Sequence, residues 1–297
     1  MTTTTTTIAY LGPPGTFSEE AAIAYAGGRP ETTYLPLTTT AAVVTAIETG
    51  AATVGMLPIE NLLEGSVTFT LDLLIHEADG LHIAGETVIP IRQYLVTRPG
   101  LTLQDIRVLY AHPQSLAQCR RFVERCLPHA ATVASLSNSA APAEAMADER
   151  PAAAISTLRA AEMNGATILA KDIADRRDNV TRFVALAQHD PPPTGDDKTS
   201  FCFGFREDRA GVLVEELQEL ARANMNMTKL ESRPSREVLG QYIFLVDVEG
   251  HRQEPHIARV LEQIAANPTV GMFKIFGSYP RWRKQPVGID ETHKTED

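Results

Sequence analysis

The sequence predicts an α/β fold of two lobes followed by a separate βαββαβ unit, and three observations carry that prediction. Short apolar runs alternate with helical stretches up to residue 187. The segment from Gln188 to Asp197 (QHDPPPTGDD) holds prolines and aspartates without apolar periodicity and reads as a linker. Beyond it the order becomes strand, helix, strand, strand, helix, strand, which is ferredoxin-like.

Residues 8–11 (IAYL) read as a buried strand, and the turn Gly12-Pro13-Pro14-Gly15 feeds an alanine-rich helix from Phe17 to Ala26. Thr16 and Glu19 have the spacing of a capping box, and Gly27-Gly28 supplies a stop. Helix Ala41 to Glu48, strand Thr53 to Leu57 and helix Val67 to His76 follow, an alternation that implies a mostly parallel sheet. The stretch from Leu81 to Thr97, broken by Pro90, reads as a crossover into a second lobe. There Val108–Ala111, Thr132–Leu136 and Ala152–Ile155 are predicted strands, with helices over Ser115–Arg125, Ala140–Glu149 and Thr157–Asn164. Residues from about 174 to 187 return to the first lobe, giving lobes of about 8–88 with 174–187 and about 89–173, with a ligand cleft between them. After the 188–197 linker, the third unit spans 198–280; Leu213, Leu217 and Leu220 share a helical face there, and Tyr242, Phe244, Val246 and Val248 alternate along a strand.

The formal net charge of -10 and the lack of a dense Lys/Arg cluster argue against nucleic acid as a partner. No run of eighteen apolar residues and no signal-like N-terminus points to a membrane or to export, so a cytoplasmic protein is expected. Cys119, Cys126 and Cys202 lack metal-ligand spacing and read as idle thiols. HExxH, CxxC and GxSxG patterns are missing from the sequence, so no metal or cofactor is expected. An acidic protein that binds an anionic metabolite must gather positive potential locally, from single arginines and helix N-termini.

Four loops are candidates for that task. GPPGT lacks the lysine of a phosphate loop but feeds a helix N-terminus that suits a carboxylate; Thr16 and Ser18 either add hydroxyl donors or merely cap. Pro58-Ile59-Glu60-Asn61 reads as a loop at the same end of the sheet, where Asn61 either binds an oxygen-rich ligand or serves the turn. His112-Pro113-Gln114-Ser115 opens a helix with Gln118 in its first turn, and His112 reads chiefly as a structural hydrogen bonder. In Asn179-Val180-Thr181-Arg182-Phe183, strict alternation puts Thr181, Phe183 and Ala185 on one face and turns Arg182 away, unless the strand bulges. In the third unit Gly211 opens a helix, and Glu231-Ser232-Arg233-Pro234 closes a strand.

Together these stretches resemble the prephenate dehydratase family across nearly the whole chain. The resemblance rests on GPPGTFSEEAA (12–22), GMLPIEN (55–61) with EGSV (64–67), HPQSLAQCR (112–120), NVTRF (179–183), ESRP (231–234), YIFLVDVEGH (242–251) and GSYPRW (277–282), in the family's order. It implies a two-lobed catalytic domain like type II periplasmic binding proteins, then an ACT regulatory domain. The implied reaction is the decarboxylating dehydration of prephenate to phenylpyruvate, under feedback by L-phenylalanine. By motif match Thr181 stands at the leaving hydroxyl, Arg182 pairs with a carboxylate, and Phe183 packs on the ring. Thr16, Ser18, Asn61 and Gln118 complete the substrate site, and Glu60 belongs there in a structural role or with a raised pKa. The effector site implied is Gly211, Val212 and Leu213 of one copy facing Asn226, Glu231, Ser232, Arg233 and Pro234 of another, in a homodimer or a dimer of dimers. The seven residues before Ile8 leave no room for a mutase-like segment, which implies a monofunctional enzyme. Leu62 stands where the family often has a small hydroxyl residue, and Ala210-Gly211-Val212-Leu213 replaces PGAL. Arogenate dehydratase and a non-catalytic sensor are the competing readings.

Overall fold

The computed structural model describes residues 6–283 apart from Asp208 and Glu237. The first lobe is built from β1 (Thr6–Leu11), α1 (Phe17–Ala26), β2 (Thr32–Leu37), α2 (Thr40–Glu48), β3 (Val54–Asn61), β4 (Gly65–Ser66), α3 (Thr68–His76) and β5 (His82–Pro90). The second holds β6 (Tyr94–Thr97), β7 (Val108–Ala111), α4 (Pro113–Gln118), α5 (Arg120–Cys126), β8 (Ala131–Ala134), α6 (Ala141–Ala147), β9 (Ala152–Ser156), α7 (Leu158–Met163) and β10 (Thr167–Ala170). β11 (Val180–Ala187) returns to the first sheet. The third unit contains β12 (Asp197–Phe205), α8 (Val212–Arg222), β13 (Met227–Pro234), β14 (Tyr242–Glu249), α9 (Pro255–Ala266) and β15 (Val270–Pro280).

Strand orders are β2-β1-β3-β11-β5, β10-β6-β9-β7-β8 and β13-β14-β12-β15, the last being the order of a ferredoxin-like unit. The lobe sheets are mixed rather than mostly parallel. β1 pairs parallel with β2 and β3, whereas β11 runs antiparallel to both β3 and β5. β6 is likewise antiparallel to β9 and β10. The chain crosses between lobes after β5 and before β11, so the returning strand enters from the opposite end.

Helix α1 occupies the expected span because both ends are chemically marked. Thr16 accepts from the Glu19 amide, and Gly27 takes a left-handed conformation at the C-cap. The reciprocal half of the capping box is altered: the Glu19 carboxylate accepts from the Gly15 amide at 2.5 Å, not from Thr16. Two edge strands, β2 and β10, lie in stretches read as connections. Pro36 and the lack of alternation hide β2, and β10 is four residues long. The helix predicted from Ser115 is two short helices that meet at Cys119.

The third unit is sandwiched. One face of its sheet, with Phe201, Phe203, Val246 and Val248, packs on Leu220, Ile257, Leu261 and Ile264 of its own helices. The other face sends Cys202, Ile243, Leu245, Phe276 and Tyr279 into the core of the first lobe with Leu71, Leu74 and Ile83. Burial pushes the thiols of Cys119 and Cys202 up to about 12, which leaves them inert. The proline-rich connection is pinned at both sides: Asp190 pairs with Arg252 at 2.6 Å, and the Pro191 carbonyl meets His251 Nε2 at 3.2 Å. Gly277 lies hard against β5 of the first lobe, with φ 153° and a position where a Cβ would lie 2.3 Å from the Ile83 carbonyl oxygen. Gly277→Ala is therefore expected to destabilise the chain by about 3 kcal/mol or more, because the obstructing atom is backbone. Thermal unfolding of the variant at the wild-type temperature would contradict this docking.

Candidate active site

A cavity of about 250 Å³ opens between the lobes. Ser18 reaches it from the start of α1, Asn61 from the end of β3, and Thr181 and Phe183 from β11. Gln118, Gln93 and Asn138 close it from the second lobe. The lobes touch beside it at the GPPGT turn, where a Cβ on Gly15 would lie 3.0 Å from Ala160, and Thr157 Oγ1 donates to the Gly15 carbonyl at 2.6 Å. That turn serves a close approach and not an anion loop, since its Gly15 amide is taken by Glu19.

Asn61 is the best-determined polar group in the cavity. Its Oδ1 accepts the backbone amides of Leu63 (2.9 Å) and Glu64 (3.1 Å), which fixes the orientation of the carboxamide. Nδ2 must then face β11, where it donates to Thr181 Oγ1 at 2.8 Å and to Asn179 Oδ1 at 2.9 Å. Thr181 Oγ1 is thus an acceptor toward Asn61, and its own hydrogen is left to point into the cleft. The residue is buried, 7% exposed, so this donor acts where water screens it little.

A second chain of amides lines the opposite wall. The Glu64 carboxylate reaches across from the first lobe to accept from Gln118 Nε2 at 2.8 Å and from Gln114 Nε2. Gln118 therefore turns its Oε1 toward Gln93 Nε2 at 3.5 Å, which leaves Gln93 Oε1 buried without a partner among the described residues. Ser115 donates to Asn138 Oδ1 at 2.6 Å, so the Asn138 amide nitrogen remains for a ligand. No lysine or arginine lines this cavity among the described residues. Nor do the described residues hold a cluster of three His, Cys, Asp or Glu side chains able to bind a metal.

The site read from sequence is partly assembled here and partly dispersed. Ser18, Asn61, Gln118, Thr181 and Phe183 line the cavity. Thr16 does not: its hydroxyl accepts from Glu19 and donates to the Leu11 carbonyl at 3.3 Å, which is the capping role. Glu60 lies on β3, not in a loop, and alternation turns it away from Asn61 toward Lys229 at 3.3 Å. Arg182 points away from the cleft as well and meets acids of both domains, so it is neither a substrate carboxylate partner from this position nor a solvated charge. His112 caps α4 by accepting from the Gln114 amide. Gln93, Glu64 and Asn138 were missed as site residues; only the Ser/Asn cluster before α6 carried a local signal, that of a helix start.

The candidate effector residues also divide. Gly211, Val212 and Leu213 line a cavity of about 260 Å³ with Phe205, Tyr242 and Phe244. Glu231, Ser232, Arg233 and Pro234 close strand β13. Their side chains alternate: Glu231 and Arg233 turn to the first lobe, where Arg233 meets Asp72 at 2.8 Å and Glu231 accepts from Ser66, while Ser232 and Pro234 are exposed. Asn226 is exposed just before that strand and outside the cavity.

Comparison with known proteins places this arrangement. The profile described as "Prephenate dehydratase" matches residues 8–191, and that described as "ACT domain" matches 205–266. A bifunctional chorismate mutase/prephenate dehydratase of Aquifex aeolicus is 38% identical over 92% of this chain and 73% of its own length. The prephenate dehydratase of Mycolicibacterium vanbaalenii is 37% identical over 92% of this chain and 90% of its own. The crystal structure of prephenate dehydratase in complex with L-Phe from Arthrobacter aurescens superposes with a TM-score of 0.83 at 36% identity, over 95% of this chain and 92% of that one. With the dehydratase profile covering both lobes and a cleft built on its Asn61 and Thr181, the chain belongs to the prephenate dehydratase family.

Proposed function

We propose that this chain converts prephenate to phenylpyruvate, carbon dioxide and water, and that L-phenylalanine bound to the ACT domain restrains it. The observation that carries the reading is the Asn61 to Thr181 hydrogen bond, which leaves a buried hydroxyl donor facing the cleft. In the reaction the bond from the ring to its carboxylate breaks, and those electrons enter the ring as carbon dioxide leaves. The bond to the ring hydroxyl breaks with its electron pair on oxygen, and one proton completes water. Thr181 donates to that oxygen as negative charge develops, and the amide of Asn61 polarises Thr181 toward donation. Ser18, the Asn138 amide and the unpaired amides at the start of α1 supply neutral donors for the carboxylates. The departing carboxylate is better served by neutral donors than by a cation, which would stabilise the reactant more than the charge-dispersed transition state. Phe183, Phe17 and Ile91 flank the flattening ring.

Arogenate is the second reading, favoured by one observation: the unpartnered Gln93 Oε1 is an acceptor suited to an ammonium group. Turnover of the two substrates side by side separates them; faster prephenate turnover supports the first.

The ACT cavity suits a phenylalanine side chain against Phe205, Val212 and Phe244, with its carboxylate at the N-terminus of α8 behind Gly211 (φ 89°). A homodimer is supported by β13, an edge strand with exposed Leu230, and by exposed Val214, Leu239 and Tyr242 nearby.

Thr181→Ala is expected to lower kcat by about 10²- to 10³-fold with KM changed little, measured by phenylpyruvate formation. Asn61→Asp keeps the acceptor for the Leu63 and Glu64 amides but loses the donor to Thr181, so it should cost kcat in the same direction. Wild-type kcat in either variant contradicts the assignment. L-phenylalanine at a hundred times its dissociation constant should stabilise the full chain by about 2.7 kcal/mol, read as a rise in Tm. An unchanged Tm contradicts effector binding.

A further inference from the structure

The face of β11 opposite the cleft carries a second polar cluster, and this one joins the two domains. The Arg182 guanidinium donates through Nε to Glu86 Oε2 at 2.6 Å, through Nη1 to Asp247 Oδ2 at 2.8 Å and through Nη2 to the Tyr279 hydroxyl at 2.8 Å. Glu86 belongs to β5 of the first lobe, whereas Asp247 and Tyr279 belong to the ACT sheet. Ser200 Oγ donates to Asp247 Oδ1 at 2.6 Å, and Lys198 Nζ lies 3.1 Å from both Glu86 oxygens. Glu60 of β3 lies 3.6 Å from Nη1 as well, so Arg182 faces three carboxylates, and Lys198 and Lys229 are the further cations beside them. Burial alone would push Asp247 up, but Arg182 and Lys198 hold it below the usual carboxylate range. Burial pushes the Tyr279 phenol well up, so it remains protonated.

The cluster grips the backbone at a sensitive place. Thr181 pairs with Asn61 and Arg182 with Glu60, and the register then shifts so that Phe183 pairs with Pro58. The extra residue is Ile59 of β3, so β3 bends beside Asn61 while β11 runs on regularly, and whatever holds Arg182 also sets the Thr181 backbone next to it. β3 shows the same pattern: Glu60, next to Asn61, faces Lys229 of the ACT sheet at 3.3 Å. A guanidinium engaged on three sides has little freedom to rotate, and removal of one partner leaves a charge unpaired in a buried site.

We infer that Arg182 is a positioning residue: held by Asp247 and Tyr279, it fixes β11 against the β3 bulge at Ile59 and with it the Thr181–Asn61 alignment, so that the ACT sheet sets turnover. The inference rests on the activity proposed above. A shift of the ACT sheet on effector binding is then felt at the catalytic hydroxyl without any effector contact in the cleft.

The test uses the full chain with Asp247→Asn and Tyr279→Phe, neither of which lines the cleft or the effector cavity. For each, kcat and KM for prephenate, L-phenylalanine affinity by calorimetry, and the ratio of rates without and with saturating L-phenylalanine are measured. Asp247→Asn is expected to lose about ten- to a hundred-fold in kcat with KM little changed. Tyr279→Phe should lose less. Both should bind L-phenylalanine as the wild type does while the rate ratio shrinks toward one. A purely structural role would lower Tm and leave kcat and the ratio alone. Tyr279→Phe deletes a single hydroxyl and keeps the ring in the core, so it remains informative if Asp247→Asn fails to fold. Wild-type kcat and ratio in Tyr279→Phe would overturn the inference. A wild-type chain that forms no phenylpyruvate overturns the activity itself, and this coupling with it.

Discussion

Strand β11 must serve two environments at once, because adjacent side chains in a strand leave opposite faces. Thr181 and Phe183 face the cleft between the lobes, and Arg182 between them faces the ACT sheet. The strand also sits between β3 and β5, so it takes its register from the lobe whose back the ACT domain covers. One side chain period thus ties the Thr181 hydroxyl to the ACT domain. The apolar packing of Cys202, Ile243, Leu245 and Phe276 against the first lobe keeps the two sheets together, and the ionic cluster sets their alignment. That division matches the energetics: apolar burial supplies the larger stabilisation, while a buried ion pair adds little net stability but is costly to break.

In the proposed reaction the cleft works by neutral donors. Fixed amides and hydroxyls orient charge without the cost of reorganising water, and their orientations are determined by a chain of partners. Two backbone amides orient Asn61, Asn61 orients Thr181, and Glu64 orients Gln118 and through it Gln93. Glu64 belongs to the first lobe and its glutamines to the second, so this bridge reports the distance between the lobes.

Much of this was legible in the sequence where local chemistry decides. Thr16 and Gly27 mark α1, the QHDPPPTGDD break separates the third unit, and strict alternation already turned Arg182 away from Thr181. What failed was long-range. The carboxylate partner role given to Arg182, the hydroxyl donor role given to Thr16, and the place in the cleft given to Glu60 depended on which neighbour each side chain meets, and local spacing is silent on that. That Glu231-Ser232-Arg233-Pro234 closes a strand was legible, but not that the Glu231 and Arg233 charges are drawn to Ser66 and Asp72 of another domain. Gln93 and Asn138 are placed by the crossover and by a loop, where no periodicity exists to reveal a facing direction.

The central claim is that Asn61 and Thr181 act as one donor unit. A double-mutant cycle on prephenate turnover tests it directly, with kcat measured for Asn61→Asp, Thr181→Ala and the pair combined. If Asn61 acts through the Thr181 hydroxyl, the combined variant will be no slower than Thr181→Ala alone. Losses that multiply, so that the two act independently, would contradict the account.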